Sequence, residues 1–229
     1  MIIKCYEVLA TDYDGTLAHH GVVSAETVSA IERLRAVGKK LVLVTGRELE
    51  ELKQVFPEIG LCELVVAENG ALLYWPGTGE IKLLGKPAPT AFVEKLRERG
   101  VPVAVGRVIV ATVEPHEAVV LQTIKEMGLD LEMIFNKGAV MVLPKGVNKA
   151  TGLREGLAHM GMSTRYTIGV GDAENDHAFL SICGCGIAVA NALPALKSRA
   201  DFVTARPHGG GIAELIDQLL ANNFQPDCG

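Results

Sequence analysis

Short apolar runs that alternate with helical patterns constrain the fold of this chain more than any other feature. Each run is only a few residues long, as in "LVLVT" and "YTIGV", and the runs lie at 7–11, 40–45, 64–67, 166–170 and 185–189. Continuous apolar runs of this length are typical of strands buried on both faces of a parallel sheet. Apolar residues spaced as on one helix face recur within 148–160 and 211–222. The pattern therefore predicts an α/β fold with right-handed crossovers.

The middle of the chain breaks this alternation. Segment 74–89, "YWPGTGEIKLLGKPAP", is rich in Gly and Pro and is typical of a crossing between two units. Beyond it, the pattern predicts two helices, at 90–99 and 115–127. It also predicts four strands, at 103–105, 107–113, 131–135 and 139–143. We predict that residues 78–143 form a small α+β unit, inserted between two parts of one core domain, 1–77 and 144–229.

The composition argues against two classes of partner, nucleic acids and membranes. The 229 residues carry a formal net charge of −5, which argues against a nucleic-acid partner or a polybasic membrane-binding surface. No apolar run reaches the roughly 18 residues that a membrane-spanning helix needs, and the first residues lack the pattern of a signal peptide. We expect a cytoplasmic protein without membrane or nucleic-acid partners, and the sequence leaves open whether it is a monomer or a homodimer.

Polar residues follow three of the predicted strands at the point where each strand ends. Asp12 and Asp14 follow the first strand in "TDYDGTL", Thr45 follows the second in "VTGRE", and Asp172 follows a later one in "GVGDAEND". Ligands of an open parallel sheet bind at the carboxyl ends of its strands. We therefore expect these side chains to meet. With Asp176, the carboxylates supply the hard oxygen ligands that suit Mg²⁺.

The same stretches contain groups suited to a phosphate. Thr45 offers a hydroxyl and a backbone N–H at a helix start, and Lys149 offers a point charge. Gly46, Arg47 and Asn175 are further candidate contacts for phosphate or substrate. A cation, N–H donors, a metal and a carboxylate nucleophile together are what phosphoryl transfer requires.

Each stretch also has an ordinary interpretation. Asp-x-Asp-Gly is common in turns, Thr-Gly after a strand often caps a helix, and a lysine near a helix start is usually solvated. For Arg47, an ion pair with Glu50 or Glu51 is as consistent with the sequence as a contact with substrate. Asn69 is likewise consistent with either a structural role or a role in the site. The joint occurrence of these stretches at strand ends favours a functional site.

The stretches resemble the motifs of a known family. "DYDGTL", "VTGR", Lys149 in "GVNKATGL" and "GDAEND" are similar, in this order, to the four motifs of the haloacid dehalogenase superfamily. The insert between the second and third motifs resembles the α/β cap of the Cof-like branch, and "AENGA" (67–71) also resembles a segment of that branch. This branch includes sugar-phosphate, phosphoglycolate, sucrose-phosphate and mannosyl-phosphoglycerate phosphatases.

The resemblance implies a Rossmann-like core, a cap, and a Mg²⁺-dependent phosphatase that hydrolyses a small phosphorylated metabolite through an aspartyl-phosphate. Asp12 would be the nucleophile and a metal ligand, and Asp14 the acid/base with its backbone carbonyl on the metal. Thr45 and Lys149 would hold the phosphate. Asp172 would bind the metal, and Asp176 would bind it directly or through water.

Two other functions stay open on these residues. A phosphomutase would use the same aspartyl-phosphate, and a non-catalytic phosphometabolite-binding protein could keep the fold. For each of these functions, the four motifs lie outside the insert and can recognise only the phosphate and the reacting oxygen. We therefore predict that the insert sets substrate choice, with Arg107, Asn136 and Lys137 as candidate contacts.

Overall fold

The predicted core strands lie side by side in one sheet. The computed structural model describes residues 6–221, and its strands are β1 Val8–Thr11, β2 Lys40–Val44, β3 Leu64–Ala67, β4 Leu72–Trp75, β5 Glu80–Leu83, β6 Ala104–Val105, β7 Val110–Val113, β8 Leu131–Asn136, β9 Ala139–Pro144, β10 Thr167–Gly171, β11 Cys185–Ala188 and β12 Phe202–Val203. Its α-helices are α1 Ala25–Ala36, α2 Leu49–Val55, α3 Thr90–Glu98, α4 Glu117–Glu126, α5 Lys149–His159, α6 His177–Leu180, α7 Pro194–Lys197 and α8 His208–Leu220.

The larger sheet has eight strands in the order β12-β11-β10-β1-β2-β3-β4-β5. The strands from β12 to β3 are parallel, whereas β4 and β5 are antiparallel additions at one edge. All four residues of β1 are buried, as the continuous apolar run predicts. β1 lies between β2 and β10, so the order of the parallel strands reverses beside it, where ligands of such sheets bind.

The smaller sheet is antiparallel and has the order β6-β7-β9-β8. Helices α3 and α4 cover one of its faces through apolar residues such as Phe92, Leu96 and Val120. The other face contributes Met141 and other residues to a second apolar cluster that includes Ala71, from the segment before β4. This cluster packs the smaller sheet against the larger unit.

Several boundaries differ from the sequence prediction. β5 pairs with β4 in the larger sheet, so residues 80–83 do not belong to the small unit that we predicted to begin at 78. The Gly/Pro-rich residues 76–79 make a hairpin turn between these strands, because Trp75 pairs directly with Glu80. The predicted helix 211–222 begins earlier, at His208, and residue 222 lies outside the described residues.

The run predicted as one strand at 107–113 is also shorter. β7 starts only at Val110, because the backbone N–H groups of residues 107–109 bond to a side chain of the larger unit. None of the helices within residues 6–221 combines the length and the apolar character that crossing a membrane requires.

Candidate active site

Three carboxylates converge at the carboxyl edge of the larger sheet. Asp12 follows β1, and Asp172 and Asp176 follow the neighbouring strand β10. One oxygen from each lies within 4.8 Å of the others, and all three residues are buried. The topology explains this meeting, because parallel neighbours end at the same edge of a sheet. Carboxylate oxygens in this arrangement could hold a divalent cation.

Lys149 lies between two of these carboxylates. Its Nζ is 2.5 Å from Oδ1 of Asp12 and 2.7 Å from Oδ1 of Asp176, and its side chain is 1% exposed. Lys149 is the first residue of α5, and the side chain of Asn148 caps this helix by accepting from the N–H groups of residues 150 and 151. The cap fixes the helix start and thereby aims the lysine into the cluster.

Close backbone contact also holds this helix in place. Gly70 has a φ of 106°, and a Cβ atom there would lie 2.0 Å from the carbonyl oxygen of Asn148. Gly15 is similarly restricted, because a Cβ atom on it would lie 2.3 Å from Oδ2 of Asp172. Both positions therefore require glycine, the first for the approach of α5 and the second for the approach of Asp172 to the first motif.

Burial controls the ionisation of the cluster. Burial raises the pKa of Asp12 to about 7; Lys149 opposes this shift, whereas the Asp176 and Asp172 carboxylates reinforce it. Burial lowers the pKa of Lys149, but the contacts with Asp12 and Asp176 outweigh burial and raise it above its usual value. Burial also raises the pKa of Asp172, against the effect of Lys137. A positive charge bound among these carboxylates would therefore be strongly favourable.

Asp176 is held through both carboxylate oxygens. Oδ2 accepts from the backbone N–H groups of Asp172, at 2.8 Å, and Ala173, at 2.9 Å, while Oδ1 faces Lys149. The side chain therefore closes its own turn as well as joining the cluster.

The Asp14 side chain pairs with Arg47 and is not one of the three clustered carboxylates. Nε of Arg47 is 2.6 Å from Oδ2 of Asp14, and Nη2 is 2.8 Å from Oδ1, which makes a bidentate pair. Arg47 also bonds Glu51, one of the two partners that the sequence suggested. The Asp14 side chain is 46% exposed, so solvent and a ligand can reach it.

Thr45 is buried at the end of β2. Its Oγ1 accepts a 3.1 Å hydrogen bond from the N–H of Arg47, so the hydroxyl proton can be donated elsewhere. Its carbonyl oxygen accepts from the N–H of Asn69 at 2.9 Å. The Gly46 backbone faces Met141 of the smaller sheet, whose Sδ would lie 3.4 Å from a Cβ at that position.

Asn175 and Asn69 form a buried amide pair. Nδ2 of Asn175 donates to Oδ1 of Asn69 at 3.1 Å, while Nδ2 of Asn69 and Oδ1 of Asn175 have no partner among the described residues. Buried amides without partners are costly, which is typical of groups that a ligand completes.

The smaller unit reaches the site at two points. Nζ of Lys137 lies 2.7 Å from Oδ2 of Asp172. The Glu68 carboxylate accepts from three consecutive backbone N–H groups, of Arg107 at 2.9 Å, Val108 at 2.7 Å and Ile109 at 2.9 Å. The inserted unit is therefore fixed directly to the edge of the sheet where the carboxylates meet.

A comparison with known protein families shows to which family the chain with this site belongs. The family model described as haloacid dehalogenase-like hydrolase matches residues 9–105 and 108–216, which include the carboxylate cluster, Lys149 and Thr45. The chain belongs to the haloacid dehalogenase-like hydrolases.

Individual relatives and solved structures are similar to this chain over nearly its whole length. Phosphoglycolate phosphatase 2 of Saccharolobus solfataricus is 32% identical, over 98% of this chain and 97% of the relative. A solved structure of Thermoplasma acidophilum 0175 superposes with a TM-score of 0.82, at 17% identity over 94% of this chain and 99% of that one. A HAD/COF-like hydrolase from Plasmodium vivax gives a TM-score of 0.79, at 22% identity over 95% and 96%. The family and fold predicted from the motifs are thus confirmed.

The structure brings together some of the residues predicted for the site, while the role of each stays a prediction. Lys149, Asp12, Asp172 and Asp176 meet in one cluster, whereas Asp14 pairs with Arg47 outside it. Of the predicted contacts in the insert, Lys137 reaches the cluster, while Arg107 pairs with Glu50 at 3.2 Å. Oδ1 of Asn136 is buried without a partner among the described residues. Their roles stay predictions.

Sequence reasoning missed several residues that shape the site. Glu68 was not a candidate, although its charge interrupts an apolar run in "VVAENGA". Nδ2 of Asn191 donates to the carbonyl oxygen of Gly15 at 2.8 Å, and Nδ1 of His208 lies 2.8 Å from the same oxygen. Neither residue lies in a recognisable motif, so only the fold reveals that they support the loop after β1.

Proposed function

We propose that this protein is a Mg²⁺-dependent phosphatase of a small phosphorylated metabolite, and that esters of the 2-phosphoglycolate type are its substrate class. The observation that carries the proposal is the Asp12 carboxylate, which lies at the carboxyl end of the central strand β1 beside Lys149 and two further carboxylates. The relative from Saccharolobus solfataricus, matched over almost its full length, supports the substrate class.

The donor set fits a hard divalent cation. When all three buried carboxylates are ionised, they face only two ammonium groups, those of Lys149 and Lys137, which leaves one negative charge for a cation to neutralise. Asp12, Asp172 and Asp176 would hold the ion, together with the backbone carbonyl of Asp14. Once bound, Mg²⁺ would neutralise charge on the phosphoryl oxygens.

Asp12 and Asp14 would share the chemistry of the first step. An oxygen of the Asp12 carboxylate attacks phosphorus, and the bond from phosphorus to the ester oxygen breaks. Protonated Asp14 gives its proton to that leaving oxygen, which departs as an alcohol. Because Asp14 is paired with Arg47, this pair must open before Asp14 can reach the leaving group.

The second step regenerates the carboxylate. Asp14, now ionised, takes a proton from water while the water oxygen attacks phosphorus. The bond from phosphorus to the Asp12 oxygen breaks, and inorganic phosphate is released. Throughout, Lys149, the Thr45 hydroxyl and the backbone N–H of Gly46 would hold the phosphoryl oxygens, and Arg47 and Asn175 would contact phosphate or substrate.

The inserted unit would act as a cap that selects the substrate. Its contacts with Glu68 and Asp172 place it beside the carboxylate cluster, where it can exclude water and contact the organic part of the ester. Arg107, Asn136 and Lys137 are the proposed contacts.

A panel of phosphate esters tests the proposal. We would measure release of inorganic phosphate from 2-phosphoglycolate and from several sugar phosphates, with Mg²⁺ and with excess chelator. We expect 2-phosphoglycolate to have the highest kcat/KM, strict dependence on the metal, and no need for a bisphosphate activator. Full activity in excess chelator would rule out the metal role. Isomerisation of a sugar phosphate without phosphate release would support a phosphomutase, and binding without turnover a non-catalytic protein.

A further inference from the structure

The tip of a hairpin in the inserted unit carries a lysine into the carboxylate cluster. Strands β8 and β9 are joined by only two residues, Lys137 and Gly138, since Asn136 pairs with Ala139. A two-residue hairpin turn of type I′ requires a positive φ at both of its central residues. Lys137 has a φ of 48° and Gly138 a φ of 81°, which fits this turn. A bulky side chain is unusual at such a φ. The turn brings Nζ of Lys137 to 2.7 Å from Oδ2 of Asp172.

The two lysines of the cluster differ in how firmly they are held. The Lys149 side chain is 1% exposed and contacts two carboxylates. The Lys137 side chain is 45% exposed and contacts the single carboxylate of Asp172. Burial and double pairing keep Lys149 in place, whereas Lys137 loses little when it leaves Asp172 for a new partner.

A divalent cation would compete with Lys137 for the same carboxylate. Asp172 is 3% exposed and lies in the three-carboxylate cluster, so an ion held there uses its oxygens. An ammonium group 2.7 Å from the same carboxylate would repel that ion. Metal binding would therefore release the ammonium group beside the bound substrate.

We propose that Lys137 binds the carboxylate of a 2-phosphoglycolate-like substrate, and that it becomes free for this contact when a divalent cation displaces it from Asp172. This inference rests on the proposed function. Two other cations near the site pair with carboxylates outside the cluster, Arg47 with Asp14 and Glu51 and Arg107 with Glu50, so a metal ion in the cluster would not displace them as it would Lys137. Lys137 is a specificity residue in this account, since the phosphoryl group itself is held by the core.

Two measurements on Lys137→Met test the proposal, with Lys125→Met as the matched control. Lys125 is an exposed lysine in α4 of the same unit, so the control loses the same charge away from the site. The first measurement is Mg²⁺ affinity without substrate, by titration calorimetry. The second is the ratio of kcat/KM for 2-phosphoglycolate to kcat/KM for 2-hydroxyethyl phosphate, which has a hydroxymethyl group in place of the carboxylate.

We expect Lys137→Met to bind Mg²⁺ about three- to fivefold more tightly, because a competing charge is gone. We expect its kcat/KM ratio to fall roughly 10- to 100-fold, the effect of losing a charged hydrogen bond. Lys125→Met should match the wild type in both. Unchanged or weaker Mg²⁺ binding by Lys137→Met would overturn the displacement, and an unchanged ratio would overturn carboxylate recognition. If the wild type hydrolyses neither ester, the proposed substrate class fails and carboxylate recognition fails with it, whereas the Mg²⁺ titration still decides whether the metal displaces Lys137.

Discussion

The backbone N–H of Ile109 donates a 2.9 Å hydrogen bond to Oε2 of Glu68, and this contact joins the inserted unit to the larger one. Glu68 is 1% exposed. Its own backbone N–H donates to the carbonyl oxygen of Arg47, at 3.0 Å, and the next residue, Asn69, bonds Thr45 in the same way. One short segment therefore supports both the loop proposed to bind phosphate and the unit proposed to cover it.

Glu68→Ala should destabilise the protein strongly. The change leaves the N–H groups of three consecutive residues without an acceptor, two of them buried, which should lower the free energy of unfolding by about 3 kcal/mol. Urea unfolding measures the loss. Glu94→Ala, at an exposed position of α3, is the control and should change stability by less than about 0.5 kcal/mol. Equal stability of the two variants would show that Glu68 does not anchor the inserted unit.

Mg²⁺ should stabilise the fold through Asp172. A ligand that binds only the native state adds about 2.7 kcal/mol when its concentration is one hundred times Kd. We expect thermal unfolding of the wild type to shift upward with added Mg²⁺, and the shift to shrink greatly in Asp172→Asn. Asp130→Asn, which alters an exposed aspartate of the inserted unit, should keep the full shift. The metal assignment fails if Asp172→Asn responds to Mg²⁺ as the wild type does.

The metal-free protein should lose stability as the pH rises from about 4 to about 7. Burial raises the pKa of Asp12 from 3.8 to about 7, so the folded state favours the protonated form. The resulting stabilisation is fully present below the pKa that Asp12 has in the unfolded chain. It is lost as the pH rises through the pKa that Asp12 has in the folded protein. Denaturant unfolding in chelator at several pH values measures the slope. Asp12→Asn should flatten it, and an identical slope in both proteins would contradict the role of Asp12.

The parallel part of the fold was predictable because strands buried on both faces are continuous apolar runs. β1, β2 and β3 lie within the predicted ranges for this reason. β5 was missed because it is an edge strand without a continuous apolar run, and because the Gly/Pro residues before it, 76–79, suggested a crossing when they form a hairpin turn. Edge strands have no buried second face that would mark them in the sequence.

The meeting of Asp12 and Asp172 was also predictable, since strand topology alone brings the ends of β1 and β10 together. The contacts of Lys137 and Glu68 were not. They depend on how the inserted unit packs against the core, and on left-handed backbone conformations, with φ of 48° at Lys137 and 50° at Glu68. Non-glycine residues adopt such conformations rarely, so local sequence patterns do not signal them.

Comparison of Asp12→Asn with the wild type, in kcat/KM for 2-phosphoglycolate at saturating Mg²⁺, tests the central claim most directly. The amide keeps the size of the side chain but removes the charge that attacks phosphorus. We expect activity to fall by at least about a thousandfold, or roughly 4 kcal/mol of barrier, with a native circular dichroism spectrum retained. A correctly folded variant that keeps a tenth of wild-type activity would show that Asp12 is not the nucleophile.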